Sequence, residues 1–235
     1  MEKCSYCAEE IQDDAIKCRY CKEWITVKDI DGNSYKTVKI GDQIWMAENL
    51  KVTHYRNGDP IPYLEYDEDW DNAQEGGYCY YDNDKDNQIF FGGLYNWYAV
   101  DDKRRLAPEG WHIPTDEEFK KTEMFLGLGH EEADSTSRRG KNEGSKLAGS
   151  ADLWNNGALK NNPEFGTSGF NFVPVGFRHY DYSFYNSIGR YGYSWSSTEL
   201  NNGYAWYREL FYNLSEIVRG NDDMRNGCSV RCIKD

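Results

Sequence analysis

Apolar residues along this chain recur at short alternating intervals, broken by glycine, asparagine and aspartate. That is the pattern of half-buried strands joined by tight turns. Tyr35 to Ile40 alternates, Gly41-Asp42 turns, and Gln43 to Met46 enters a second strand, so a hairpin is predicted here. Asp31-Gly32-Asn33 marks a hairpin-type turn just before it, and Thr26 to Asp31 reads as a polar join. Phe170 to Arg178 alternates in bulk and predicts another strand. Helical signals are fewer. Thr115 with Glu118 three residues on is a capping box, which places a helix at about 115–127. A helix is also expected from Leu94 to near Asp101, and a helical turn between Ser145 and Trp154. Residues 129–145, polar, charged and glycine-bearing, read as an exposed loop.

The stretch from Gly192 to Asp235 is the densest in aromatic and amide side chains. Tyr and Trp give large rigid contact area at little entropic cost, and Ser and Asn give adaptable hydrogen bonds. That is the vocabulary of a recognition surface. The residues expected to form it are Trp195, Asn201, Asn202, Tyr204, Tyr207, Arg208, Tyr212, Asn213, Asn221 and Asp222. Strand alternation requires about half of residues 204–213 to face inward, and Trp206 and Leu210, which share one parity, are the expected core positions. Cys228 and Cys232 also share a face and are expected to point into the core.

Composition narrows the choices. The chain has 235 residues, 39% hydrophobic and 16% aromatic, with 22 glycines, so aromatics must carry the core and turns must be many. A net charge of -13 repels a phosphate backbone and disfavours nucleic acid as a partner. No run of about 18 apolar residues offers a membrane span. The opening residues lack the apolar core of a secretory signal, so a cytoplasmic location with reduced or metal-bound thiols is expected.

Cys4-x-x-Cys7 and Cys18-x-x-Cys21 carry the most specific chemistry. Each knuckle presents two thiolates, and four complete the tetrahedron of a structural Zn2+ site. So short a segment cannot build a core, so metal binding would supply its folding energy. Disulfides or free thiols are the alternatives. Ile11, Ala15 and Ile16 suggest a short helical turn between the knuckles. The expected organisation is a zinc ribbon over 1–25, a linker over 26–32 and a main domain over 33–235. Asp82, Asp84 and Asp86 have the alternate spacing of a calcium loop, but Asn87 and Gly93 stand where its glycine and glutamate belong. An EF-hand is rejected, and a looser Ca2+ site stays open beside the plainer reading of a solvated acidic loop. His112 lacks a nucleophile or carboxylate fixed beside it by sequence and reads as structural.

The run from Asn33 to Leu50 resembles the opening motif of the Fibrobacter succinogenes major paralogous domain. So do Gly93-Leu94-Tyr95-Asn96-Trp97, Ala107 to Thr115, Gly176-Phe177-Arg178, Trp195-Ser196-Ser197-Thr198 and Ser229-Val230-Arg231-Cys232. The resemblance implies an α+β, C-type lectin-like or formylglycine-generating-enzyme-like domain, with two helices and with its N- and C-terminal strands side by side. Some members of that broad group are variable proteins of diversity-generating retroelements, and the Asn and Tyr positions from 201 to 226 look like such a variable region. Three readings follow: a non-enzymatic ligand-binding protein, a cysteine oxidase using Cys228 and Cys232, or a surface structural module. The first is favoured, with a protein as ligand. The calcium motifs of sugar-binding lectins are absent, although stacking on aromatics keeps carbohydrate open. The sequence does not set the oligomeric state.

Overall fold

The computed structural model describes every residue except 1, 5, 6, 13, 14, 16, 23, 24, 182–187 and 202. Two short strands, β1 (Glu2–Lys3) and β2 (Glu10–Ile11), pair antiparallel among the N-terminal cysteines. The rest of the chain holds β3 (Thr26–Lys28), β4 (Ser34–Ile40), β5 (Gln43–Met46), β6 (Tyr78–Cys79), β7 (Leu94–Tyr95), β8 (Trp111–His112) and β9 (Ser137–Arg139). Then come β10 (Tyr191–Asn201), β11 (Tyr204–Phe211), β12 (Ile217–Asp223) and β13 (Ile233–Lys234). The helices are α1 (Asp67–Asp71), α2 (Asn87–Phe91), α3 (Trp97–Val100), α4 (Asp116–Phe125), α5 (His130–Ala133), α6 (Glu143–Leu147) and α7 (Ala158–Asn161). The fold is mixed α and β. Among the described residues only α4 exceeds five residues, where the resemblance implies two helices. None is long and apolar enough to cross a membrane.

Two sheets organise the body. One runs β3-β4-β5-β13-β8, and the other β10-β11-β12-β9. The last strand is inserted between early ones, with Ile233 opposite Trp45 of β5 and His112 of β8. The β4–β5 hairpin turns at Gly41, whose left-handed φ of 64° glycine adopts without steric cost. Thr115 caps α4 as the capping box requires, and its backbone N–H donates to Glu118 Oε2 at 2.8 Å. His112 sits between Glu118 (2.9 Å from Nε2) and Asp235 (2.7 Å from Nδ1), tying β8 to the cap of α4.

Aromatic rings fill the spaces between these layers. Trp45 lies 5.2 Å from both Phe119 of α4 and Phe170, in a cluster with Phe172, Leu210 and Ile217. A second cluster joins Tyr35, Met46, Tyr95, Trp97, Trp195, Val230, Cys228 and Cys232. Each fully buried aliphatic, Phe or Met side chain among them stabilises the fold by roughly 1.5–3 kcal/mol.

The structure corrects several local expectations. Thr26–Lys28 is an edge strand paired with Ser34–Lys36, because the turn between them closes a hairpin. Residues 129–145 contain α5, β9 and the start of α6, and Arg139 there is buried. The stretch expected to be helical from Leu94 begins as β7 and supports only one helical turn, α3. Phe170 to Arg178 is buried for most of its length but makes single bridges, through Phe172, Gly176 and Arg178, in place of a strand ladder. Between the cysteine knuckles lies β2, where a helical turn was expected; Ile11 is buried, and Ile16 is outside the described residues.

Candidate functional site

The four N-terminal cysteines converge. Their sulfurs all lie within 4.8 Å of one another, and the Cys4–Cys21 and Cys7–Cys18 pairs are each 3.7 Å apart. A tetrahedral thiolate site with metal–sulfur bonds of about 2.3 Å has sulfur edges of about 3.8 Å, so the residues fit a metal ion. Both knuckles are built alike. The N–H of Ala8 donates to the Cys4 carbonyl at 2.9 Å, and that of Lys22 to the Cys18 carbonyl at 3.0 Å. Ala8 and Lys22 both take left-handed φ values, 59° and 64°. Backbone N–H donors, from Cys21 first and then Tyr20, bring the Cys18 thiol down to about 6, which favours the ligating thiolate. No disulfide joins any of the seven cysteines. Among the described residues this is the one group of three or more His, Cys, Asp or Glu placed to share a metal; Asp82, Asp84 and Asp86 form no such group.

The second site is the sheet β10-β11-β12, whose two faces differ in kind. On the face toward α4, Arg208 donates to Asp116 at 2.7 Å and Glu123 at 2.5 Å, Arg219 to Asp116 at 2.7 Å, and Arg139 to Glu123 at 2.8 Å. Arg208, Arg139 and Glu123 have essentially no exposed side chain. Burial pushes the Asp116 carboxyl up, but the Arg219 hydrogen bonds and the Arg208 charge outweigh it and hold it well below the usual range. Asp116 N–H also donates to Thr198 Oγ1 at 2.9 Å, so the irregular SWSST segment of β10 holds the first turn of α4.

On the opposite face, register places Tyr191 across from Phe211, Tyr193 from Glu209 and Trp195 from Tyr207. In β12, Gly220 stands across from Tyr207 and Asp222 from Ala205. Trp195 and Ala205 are buried, while Tyr191, Tyr193, Tyr207, Glu209, Phe211 and Asp222 are all partly exposed. Tyr193 lies 5.4 Å from Tyr207 and 4.8 Å from Phe177, and Tyr191 stacks on Phe211 at 4.6 Å. A Cβ at Gly220 would meet the Tyr207 ring at 2.5 Å, so the missing side chain lets that ring lie across β12. Desolvation among these rings raises the Glu209 carboxyl from 4.5 to about 7, against the Tyr193 hydroxyl and the charge of Arg138. Desolvation raises Asp222 as well. Neither carboxylate makes an ion pair among the described residues.

The family model described as the Fibrobacter succinogenes major domain matches residues 38–234. The chain belongs to that family. No curated protein and no solved structure gives a match.

Within this major domain the residues expected to bind ligand do not form one surface. Tyr207 and Asp222 lie on the tyrosine face. Tyr204 and Asn221 are exposed, but they share parity with Arg208, on the α4 side of the sheet. Arg208 has no exposed surface and belongs to the ion network; Trp195 has none either and donates its Nε1–H to the Tyr95 carbonyl at 3.0 Å. Neither offers surface to a ligand. Tyr212 and Asn213 follow β11 at the far end of the strand, Asn201 is exposed, and Asn202 lies outside the described residues. Trp206, expected in the core, is partly exposed beneath the Arg219 guanidinium at 3.6 Å, whereas Leu210 is fully buried. Tyr191, Tyr193, Glu209 and Phe211 of the tyrosine face were missed, although they alternate in step with Tyr207 and the register of the hairpin brings them together. Cys228 and Cys232 are both buried, and desolvation raises their thiols well above the ordinary value.

Proposed function

We propose that this major domain is a non-enzymatic binding module, and that the tyrosine face of its C-terminal sheet recognises a protein partner. The observation that carries this reading is the cluster of partly exposed rings around Glu209 and Asp222, two carboxylates without an ion-paired cation among the described residues. Rigid rings beside desolvated acids suit a peptide segment that brings its own basic or hydrogen-bond-donating groups. The burial of Cys228 and Cys232, with raised thiols, works against the cysteine-oxidase reading, since a reactive thiol needs a lowered pKa and access. A C-type lectin-like scaffold fits the pairing of the last strand, β13, with the early strand β5 at Ile233 and Trp45. On this reading positions such as Tyr207 tolerate replacement, and diversification by a retroelement is the genetic corollary. A reverse-transcriptase frame and an imperfect repeat in the neighbouring DNA would support that corollary.

The test is to probe peptide and glycan arrays with the full chain, with and without calcium. Calcium-independent binding to peptides is expected. Binding to glycans alone, or binding that needs calcium, would reject a protein partner.

We propose further that the cysteine site holds structural zinc. Four thiolates leave no open position for a substrate. Chelation is expected to release one metal ion per chain and to unmask four reactive thiols, while the cooperative unfolding of the major domain keeps its midpoint. Thiol titration alongside metal analysis checks this; a major domain that unfolds with the loss of metal would contradict it.

A further inference from the structure

We infer that a cavity floored by Arg231 binds a small organic carboxylate carrying an apolar tail. The cavity measures about 410 Å3, a size suited to a small molecule, and shares no residue with the tyrosine face. Arg231 is only 1% exposed. Its guanidinium donates to the carbonyl of Phe170, to Asn49 Oδ1 at 2.6 Å and to the carbonyl of Asn171 at 3.2 Å, and stands 4.5 Å from the Phe170 ring centroid. Every one of these acceptors is neutral. Arg208, Arg219 and Arg139 each meet a carboxylate, but among the described residues none lies within ion-pair distance of Arg231.

A buried cation without a counter-anion is costly. Burial lowers the Arg231 pKa to about 9, which still leaves it charged at neutral pH. Glu48, the nearby acid, is already engaged by Lys51 at 3.2 Å. Lys36, Lys51 and Arg231 therefore face a single carboxylate in the cavity lining, although the chain as a whole carries a charge of -13. This local excess of cations would draw an anion, and a carboxylate would supply the charge that Arg231 lacks. Beside the cationic floor, Ile89 and Phe90 are 67% and 63% exposed and offer an apolar rim for the tail.

The experiment titrates the full chain with decanoate, decanamide and inorganic phosphate, followed by amide chemical shifts. Decanoate is expected to shift Lys36, Lys51 and Phe90 saturably, and decanamide to bind at least about tenfold more weakly. Lys36→Glu and Phe90→Ala should each weaken decanoate by about threefold to tenfold, with the dispersion of the spectrum intact. Arg231→Met should abolish binding; if that variant does not fold, the two rim variants decide. The proposal is overturned by equal affinity for decanoate and decanamide, by phosphate binding as tightly as decanoate, by rim variants that bind as well as the parent, or by the absence of saturable shifts at these residues.

Discussion

The two faces of the β10-β11-β12 sheet share strands and register, yet they handle charge in opposite ways. Toward α4, every acid is matched by a cation: Asp116 by Arg208 and Arg219, Glu123 by Arg208 and Arg139. On the other side, Glu209 and Asp222 sit among tyrosines with raised pKa and no ion pair among the described residues. One face spends its charges internally, locking a helix to a sheet. The other hydrogen-bonds its acids, Asp222 to the Asp223 N–H at 2.8 Å and Glu209 to the Tyr193 hydroxyl, but gives them no ion-paired cation among the described residues, which a partner could supply.

The largest expected effect lies on the locked face. Asp116→Asn leaves Arg208 and Arg219 buried with too little negative charge, and should cost about 3–5 kcal/mol of unfolding free energy, measured by urea titration. A loss near zero would erase the contrast between the faces. Acid should act here too. The folded pKa of Asp116 is depressed, so its contribution is present above the ordinary carboxylate range and is lost as pH falls toward the folded value.

The tyrosine face should show the opposite sign. Glu209 holds its proton more tightly when folded, with a pKa raised from 4.5 to about 7. Its contribution is complete below the lower value and declines as pH rises through the higher one. Urea midpoints taken at about pH 5 and about pH 8 should therefore reveal a decline of about 2 kcal/mol that Glu209→Gln removes. An identical decline in the variant would assign the titration to another group.

The sequence made some parts of this contrast legible and hid others. The α4 capping box was readable because Thr115 and Glu118 are three residues apart and act locally. The β4–β5 hairpin was readable because its turn residues and its alternation agree. The burial of Arg208 was not, because its partner Asp116 is 92 residues away and arginines are seldom fully buried. Strand parity gives β11 two faces, but the expected contact residues Tyr204, Tyr207 and Arg208 were drawn from both, and parity could not say that Arg208 and Leu210 would be covered while Trp206 kept an edge in solvent. For the same reason, residues 129–145 were read as an exposed loop: the carboxylate that buries Arg139 belongs to α4.

The smallest stability effect gives the most direct test of recognition by the tyrosine face. Gly220→Ala adds one methyl where the Tyr207 ring now lies, at a backbone angle any residue can adopt. The ring, at the free end of its side chain, must lift from the sheet, while the ion network beneath is untouched. Affinity for the peptide selected by the parent protein is to be measured alongside the urea midpoint. We predict binding about tenfold weaker with a stability change below about 1 kcal/mol; unchanged affinity with a displaced Tyr207 ring would contradict the account.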